Sequence, residues 1–150
     1  MNVIGFNFTK IHAEKPTGLK PNFSVNNHIE FLEVEKEALD LVKDAEPIRI
    51  KFRFSVSYDS PDIKEKKKEA TPDTGSLLFE GIILLAIDKE QSKEILKSWK
   101  KKEIGNEFKV PLFNLILRKC TPKALDLEDQ IGLPLHVPLP KIGAPKEDKA

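Results

Sequence analysis

At 150 residues the chain is long enough for one ordinary domain whose core needs no disulfide or metal staple, and too short for two full domains. Charged residues make up 33% of it, mostly Lys and Glu, yet they cancel to a formal net charge of +1, which argues against a global pull toward nucleic acid or anionic lipid. The single cysteine, Cys120, excludes an internal disulfide and points to an intracellular setting.

The first element expected is a strand. Ile4, Phe6 and Phe8 share one parity, Gly5, Asn7 and Thr9 the other, and the alternation runs on toward Ile11 or Ala13. Residues 15–21, with Pro16, Gly18 and Pro21, read as a loop. A second strand is expected from Phe23, with Phe23, Val25, Asn27, Ile29, Phe31 and Glu33 on one parity, His28, Leu32 and Val34 on the other, and a bulge near Asn26 and Asn27. Over 35–44, Ala38, Leu39 and Val42 fit either one or two helical turns or an irregular continuation of the pairing. A third strand is the clearest. Ile48, Ile50, Phe52, Phe54, Val56 and Tyr58 alternate with Arg49, Lys51, Arg53, Ser55 and Ser57, so one face goes to a core and the other to water.

Residues 59–74 read as a long mobile hairpin connection, with Pro61, Pro72 and a charged run at 64–69. Glu65 and Glu69 flank Lys66, Lys67 and Lys68 without an aromatic residue, which favours a solvated loop over a phosphate-binding arm. The fourth strand, 77–87, is apolar on both parities: Leu77, Phe79, Ile83, Leu85 and Ile87 on one, Leu78, Ile82, Leu84 and Ala86 on the other. A sheet containing such a strand needs cover on both faces. The run is broken by Glu80 and is too short to span a bilayer as a helix.

Asp88 is placed to cap a helix whose third position is Gln91, the capping-box pair; Ile95, Leu96 and Trp99 form its apolar stripe, Lys100, Lys101 and Lys102 its last turn, and Gly105 its end. A second helix is expected from about Glu107, with Pro111 near its first turn and Phe108, Leu112, Leu115, Ile116 and Lys119 along one side. Phe113, Leu117 and Cys120 widen the apolar arc, and Cys120 reads as a small buried residue. Thr121 and Pro122 imply a kink or a short new helix that Gly132 ends. Residues 133–140 are held extended by Pro134, Pro138 and Pro140, and are apolar enough to dock on the body. The expectation is therefore an α+β domain over 1–140, with a four-stranded antiparallel sheet and two to three C-terminal helices on one face, followed by a disordered charged tail over 141–150.

Signatures of chemistry are sparse. His12, His28 and His136 lie far apart without thiol or carboxylate at ligand spacing, so no metal site and no cofactor is expected. No nucleophile elbow or phosphate-binding glycine loop occurs. Acidic pairs such as Glu33 with Glu35 and Glu128 with Asp129 read as solvated, and no enzymatic activity is expected. Arg49, Lys51 and Arg53 project from one strand face, where they fit an ordinary solvent face or cross-strand ion pairs better than phosphate contacts. Trp99 and Phe113 fit either the core or the lining of an apolar groove. Residues 1–10 do not read as a signal peptide, and a cytoplasmic location is expected. Abundant Lys and Glu beside few Cys, Met and Gln match a thermophile's composition.

The apolar fourth strand, the helix Pro111-Leu112-Phe113-Asn114-Leu115-Ile116-Leu117-Arg118-Lys119-Cys120 and the ending Gly132-Leu133-Pro134-Leu135-His136-Val137-Pro138-Leu139-Pro140 together resemble the SecB family of export chaperones. The chain is similar above all to archaeal SecB-like proteins, in which a helix bearing Arg-Lys-Cys leads into Gly-Leu-Pro and a Pro-rich end. In layout the resemblance covers most of the chain, and residue by residue the last third. It implies subunits assembled into dimers or a dimer of dimers that hold unfolded or nascent polypeptides in apolar grooves without ATP. Trp99, Phe108, Leu112, Phe113 and Leu135 are the candidate lining. Bacterial members dock an export motor through acidic surface, whereas this chain is nearly neutral. The alternative is a ribosome- or RNA-associated adaptor that uses Arg49, Lys51 and Arg53.

Overall fold

The computed structural model describes residues 1–16, 24–38, 45–59 and 75–145. Their elements follow in the order β1 (Asn2–Glu14), β2 (Ser24–Lys36), β3 (Glu46–Asp59), β4 (Gly75–Ile87), α1 (Lys89–Trp99) and α2 (Asn106–Ile131). The strands form one antiparallel sheet in the order β1-β4-β3-β2, so the chain is α+β with its two helices at the C-terminal end. The most apolar strands, β3 and β4, take the centre. Their register sets Ile48 against Leu85, Ile50 against Ile83, Phe54 against Phe79 and Val56 against Leu77, and all eight side chains are buried. Gly81 stands opposite Phe52, and a Cβ there would come within 2.7 Å of the Phe52 ring and 2.6 Å of the Asn7 carbonyl oxygen. The glycine lets the ring lie across the strand.

Edge strands reach this core by slipping register. In β1 the pairing shifts between Val3 and Gly5 and again between Phe8 and Lys10, which aligns Val3, Phe6, Phe8, Ile11 and Ala13 with the buried parity of β4. The bulge in β2 lies at Leu32, between Phe31 and Glu33, not near Asn26 and Asn27 as the sequence suggested. A strict alternation would bury Glu33 and expose Val34; the extra residue reverses this, and Val34 joins the core. The other open expectations of the sequence, a loop at 15–21, helical turns at 35–44 and a charged connection at 59–74, fall largely outside the described residues.

At α1 the capping box forms as the sequence predicts: the Gln91 amide donates to Asp88 Oδ1 at 2.7 Å and the Asp88 amide to Gln91 Oε1 at 3.5 Å. The helix ends at Trp99, earlier than Gly105. Lys102 takes the left-handed turn (φ 60°), and Gly105, at φ −59°, precedes α2 as its N-cap. Contrary to the expected break, α2 runs unbroken through Pro122. Its buried residues explain the continuity. Phe108, Leu112, Ile116, Cys120, Ala124 and Glu128 recur every fourth position, a single ridge against the sheet that spans the proline and outweighs one lost backbone bond. Lys119 lies off this ridge, its Nζ 5.9 Å from the Phe6 ring. Gly132, left-handed at φ 72°, ends the helix, and the Leu133 amide then donates to the Glu128 carbonyl at 2.8 Å.

Candidate functional site

Both helices pack on the face that carries Phe52, Phe54 and Phe79, and among the described residues no helix covers the second parity of β4. Leu78, Ile82, Leu84 and Ala86 run down the middle of the opposite face, each half-buried. Across the register, β3 places Ser55 beside Leu78, Lys51 beside Ile82 and Arg49 beside Leu84, while β1 places His12, Asn7 and Gly5 at the same levels. The result is a trough with an apolar floor and polar walls. From Leu78 to Ala86 it extends about 26 Å at the rise of a strand. One charge interrupts the floor, Glu80, and Arg53 satisfies it: Nε and Nη2 donate to Glu80 Oε1 at 3.0 and 2.8 Å, and Nη1 to Glu30 Oε1 at 3.1 Å.

Arg49 and Arg53, of the basic row that suggested phosphate contacts, are thus engaged in ion pairs. Arg49 Nη2 donates to Glu35 at 2.6 Å and its Nε lies 3.5 Å from Glu37, while Lys51 registers opposite Glu33. These pairs hold the guanidinium groups of Arg49 and Arg53 more firmly protonated than usual, the first cause in each being the hydrogen bond to Glu35 and to Glu80 respectively. A second apolar zone lies along β1, an edge strand, where Val3, Ile4 and Ile11 are exposed.

The five residues that sequence reasoning grouped as lining do not form one exposed surface. Phe108 and Leu112 belong to the core, because they occupy the ridge of α2 that faces the sheet. Phe113 is half-buried, its ring 5.0 Å from Phe31 and beneath Lys109 Nζ at 5.4 Å. Trp99 is half-buried at the end of α1 under Lys102 Nζ at 5.1 Å, and Leu135 is exposed beyond α2.

Sequence reasoning missed a buried polar cluster. Glu128, read as solvated, is fully buried; the Tyr58 hydroxyl and the His136 amide donate to its Oε2, the amide at 2.9 Å, and His136 Nδ1 lies 2.6 Å from its Oε1. The His136 ring stands edge-on to Phe54, 6.2 Å between centroids, and its Nε2 is buried without a hydrogen-bond partner. Burial first, then the hydrogen bond and charge of Glu128, raise the Tyr58 phenol well above its usual range. The signal was present: Glu128 continues the four-residue spacing of Phe108 to Ala124. Cys120, on the same ridge, is buried as expected, and burial pushes its thiol up to about 12.

Among the described residues no three or more His, Cys, Asp or Glu side chains are grouped to hold a metal ion, and no helix is long and apolar enough to cross a membrane. No family model and no curated protein matches the sequence. Among solved structures, the chain is similar to a SecB-like chaperone of Mycobacterium tuberculosis, solved in complex with a ChAD peptide from an antitoxin. The two are 14% identical, the match covers 96% of this chain and 91% of that one, and the TM-score is 0.46.

Proposed function

We propose that this protein is an ATP-independent chaperone that holds segments of unfolded or nascent polypeptides against apolar surface. The observation that carries the reading is the trough: a central strand apolar on both parities, covered by helices on one face only. Contiguous apolar surface on a folded protein marks an interaction site, and apolar contact is non-directional, so one floor accepts many sequences. The polar walls offer hydrogen bonds to an extended backbone lying along it. Trp99, Phe113 and Leu135 add partly exposed apolar surface on the helix side, with Phe108 and Leu112 as packing beneath it. The resemblance of the strand, helix and Pro-rich ending to the SecB family supports the same reading, and with it a homo-oligomer, a dimer or a dimer of dimers, in the cytoplasm. An adaptor for RNA is favoured less, because Arg49 and Arg53 already spend their charge on Glu35 and Glu80.

The test is aggregation of a chemically unfolded client in the presence of stoichiometric protein without nucleotide. Protection is expected from the native sequence, and its loss is expected when Ile82→Ser and Leu84→Ser are combined. No protection by the native protein at any ratio would end the proposal.

A further inference from the structure

The segment after α2 is built like a ligand. Pro134, Pro138 and Pro140 stiffen it, the chain bends at His136 and Val137, and apolar side chains fall at Leu133, Leu135, Val137 and Leu139. Among the described residues, its backbone joins the body through two hydrogen bonds: the Leu133 amide to the Glu128 carbonyl at 2.8 Å and the His136 amide to the Glu128 carboxylate at 2.9 Å. Two side chains seat it. Leu133 is buried where Gly75 makes room, since a Cβ on Gly75 would come within 2.8 Å of Leu133 Cδ2 and 3.2 Å of the Tyr58 ring. His136 is inserted between Phe54 and Glu128. Leu135 and Leu139 remain 37% and 52% exposed. The unpartnered Nε2 of His136 is a polar atom that regains a hydrogen bond whenever the ring lifts into water, which lowers the cost of release.

We infer that residues 133–140 are a displaceable strap, the chain's own Pro-rich segment seated in a site that fits an external Leu- and Pro-rich polypeptide, with Glu128 as the latch. A client that enters this end of the sheet competes with the strap, so the segment sets how much of the apolar surface is available. That clients are what displace it rests on the chaperone reading; the seat itself does not.

A fluorescent synthetic peptide of residues 133–140 is titrated against the full chain and against a chain ended after Gly132. The shortened chain is expected to bind it at least about tenfold more tightly, because the intact chain's site is occupied for most of the time. The peptide carrying His136→Ala is expected to lose most of that affinity. Equal binding by the two chains, or none by a folded shortened chain, overturns the strap. If the shortened chain fails to fold, hydrogen exchange on the intact protein decides. The bonded amide of residue 136 should exchange through an opening that leaves α2 protected, and His136→Ala should speed it about tenfold while α2 is unchanged. Exchange of this amide only together with α2 overturns the proposal. A positive peptide result beside no client protection by either chain keeps the strap and removes the chaperone reading; client protection with equal peptide binding does the reverse.

Discussion

Glu128 shows how one residue ties three parts of the molecule together. Its carboxylate receives donors from β3 and from the segment after α2 while sitting on α2 itself, so deleting it removes an acceptor from both the Tyr58 hydroxyl and the His136 amide. Glu128→Ala is expected to cost about 2–6 kcal/mol, since it takes the acceptor from two buried donors at about 1–3 kcal/mol each, and Tyr58→Phe about 1–3 kcal/mol, the price of one unmet partner. Urea denaturation of the two variants checks both the sizes and their order. The phenol also sets an alkaline limit. Tyr58 ionises near 10 in an unfolded chain but is held neutral in the fold. Its contribution to stability is therefore fully present below pH 10 and is lost as the pH rises above that value. The urea midpoint should fall between about pH 9 and 11 in the native protein and fall less in Tyr58→Phe; equal slopes would count against the assignment.

At the scale of elements, local chemistry and packing compete, and the two helices come out differently. The start of α1 is decided locally by its capping box, so Asp88→Ala should destabilise by about 1 kcal/mol in thermal or urea unfolding. In α2, packing overrides a local stop signal. Pro122 is exposed on a helix kept continuous by its four-spaced ridge, so the pyrrolidine costs a backbone bond that the fold does not need to lose. Pro122→Ala should accordingly stabilise by about 1 kcal/mol or more, within the roughly 3 kcal/mol separating the two residues in helix interiors. A loss of stability would mean that the ring itself packs. The strands follow the same logic: alternation marked β3 and a run apolar on both parities marked β4, but the bulges of β1 and β2 arise because the edge strands must match a register that the centre has already set.

For the whole molecule the deciding feature is a sheet with an apolar middle and helices on a single side. Such a face lowers its free energy by taking up a client or a second copy of the chain, and the two uses share the floor formed by Leu78, Ile82, Leu84 and Ala86. Sedimentation at micromolar concentration is expected to give a dimer or larger species, shifted toward the monomer by Ile82→Ser with Leu84→Ser while far-ultraviolet circular dichroism stays unchanged. A native protein that is monomeric throughout would remove self-association as the use of this face.

Read by itself, the order of residues was enough to determine the strands and helices of the sheet layer and its cover, the antiparallel α+β layout, the cap of α1 and the buried role of Cys120, while the acids that Arg49 and Arg53 meet were fixed by the fold. The former follow from periods of two and of about 3.6 residues and from the capping pair, all of which are local. Where Leu32 bulges, why α2 passes Pro122, that Phe108 and Leu112 face inward and that Glu128, Tyr58 and His136 meet were decided only in three dimensions. Each depends on a partner in another element or on the orientation of a ridge, and a charge such as Glu128 is buried only because donors from β3 and from the segment after α2 converge on it.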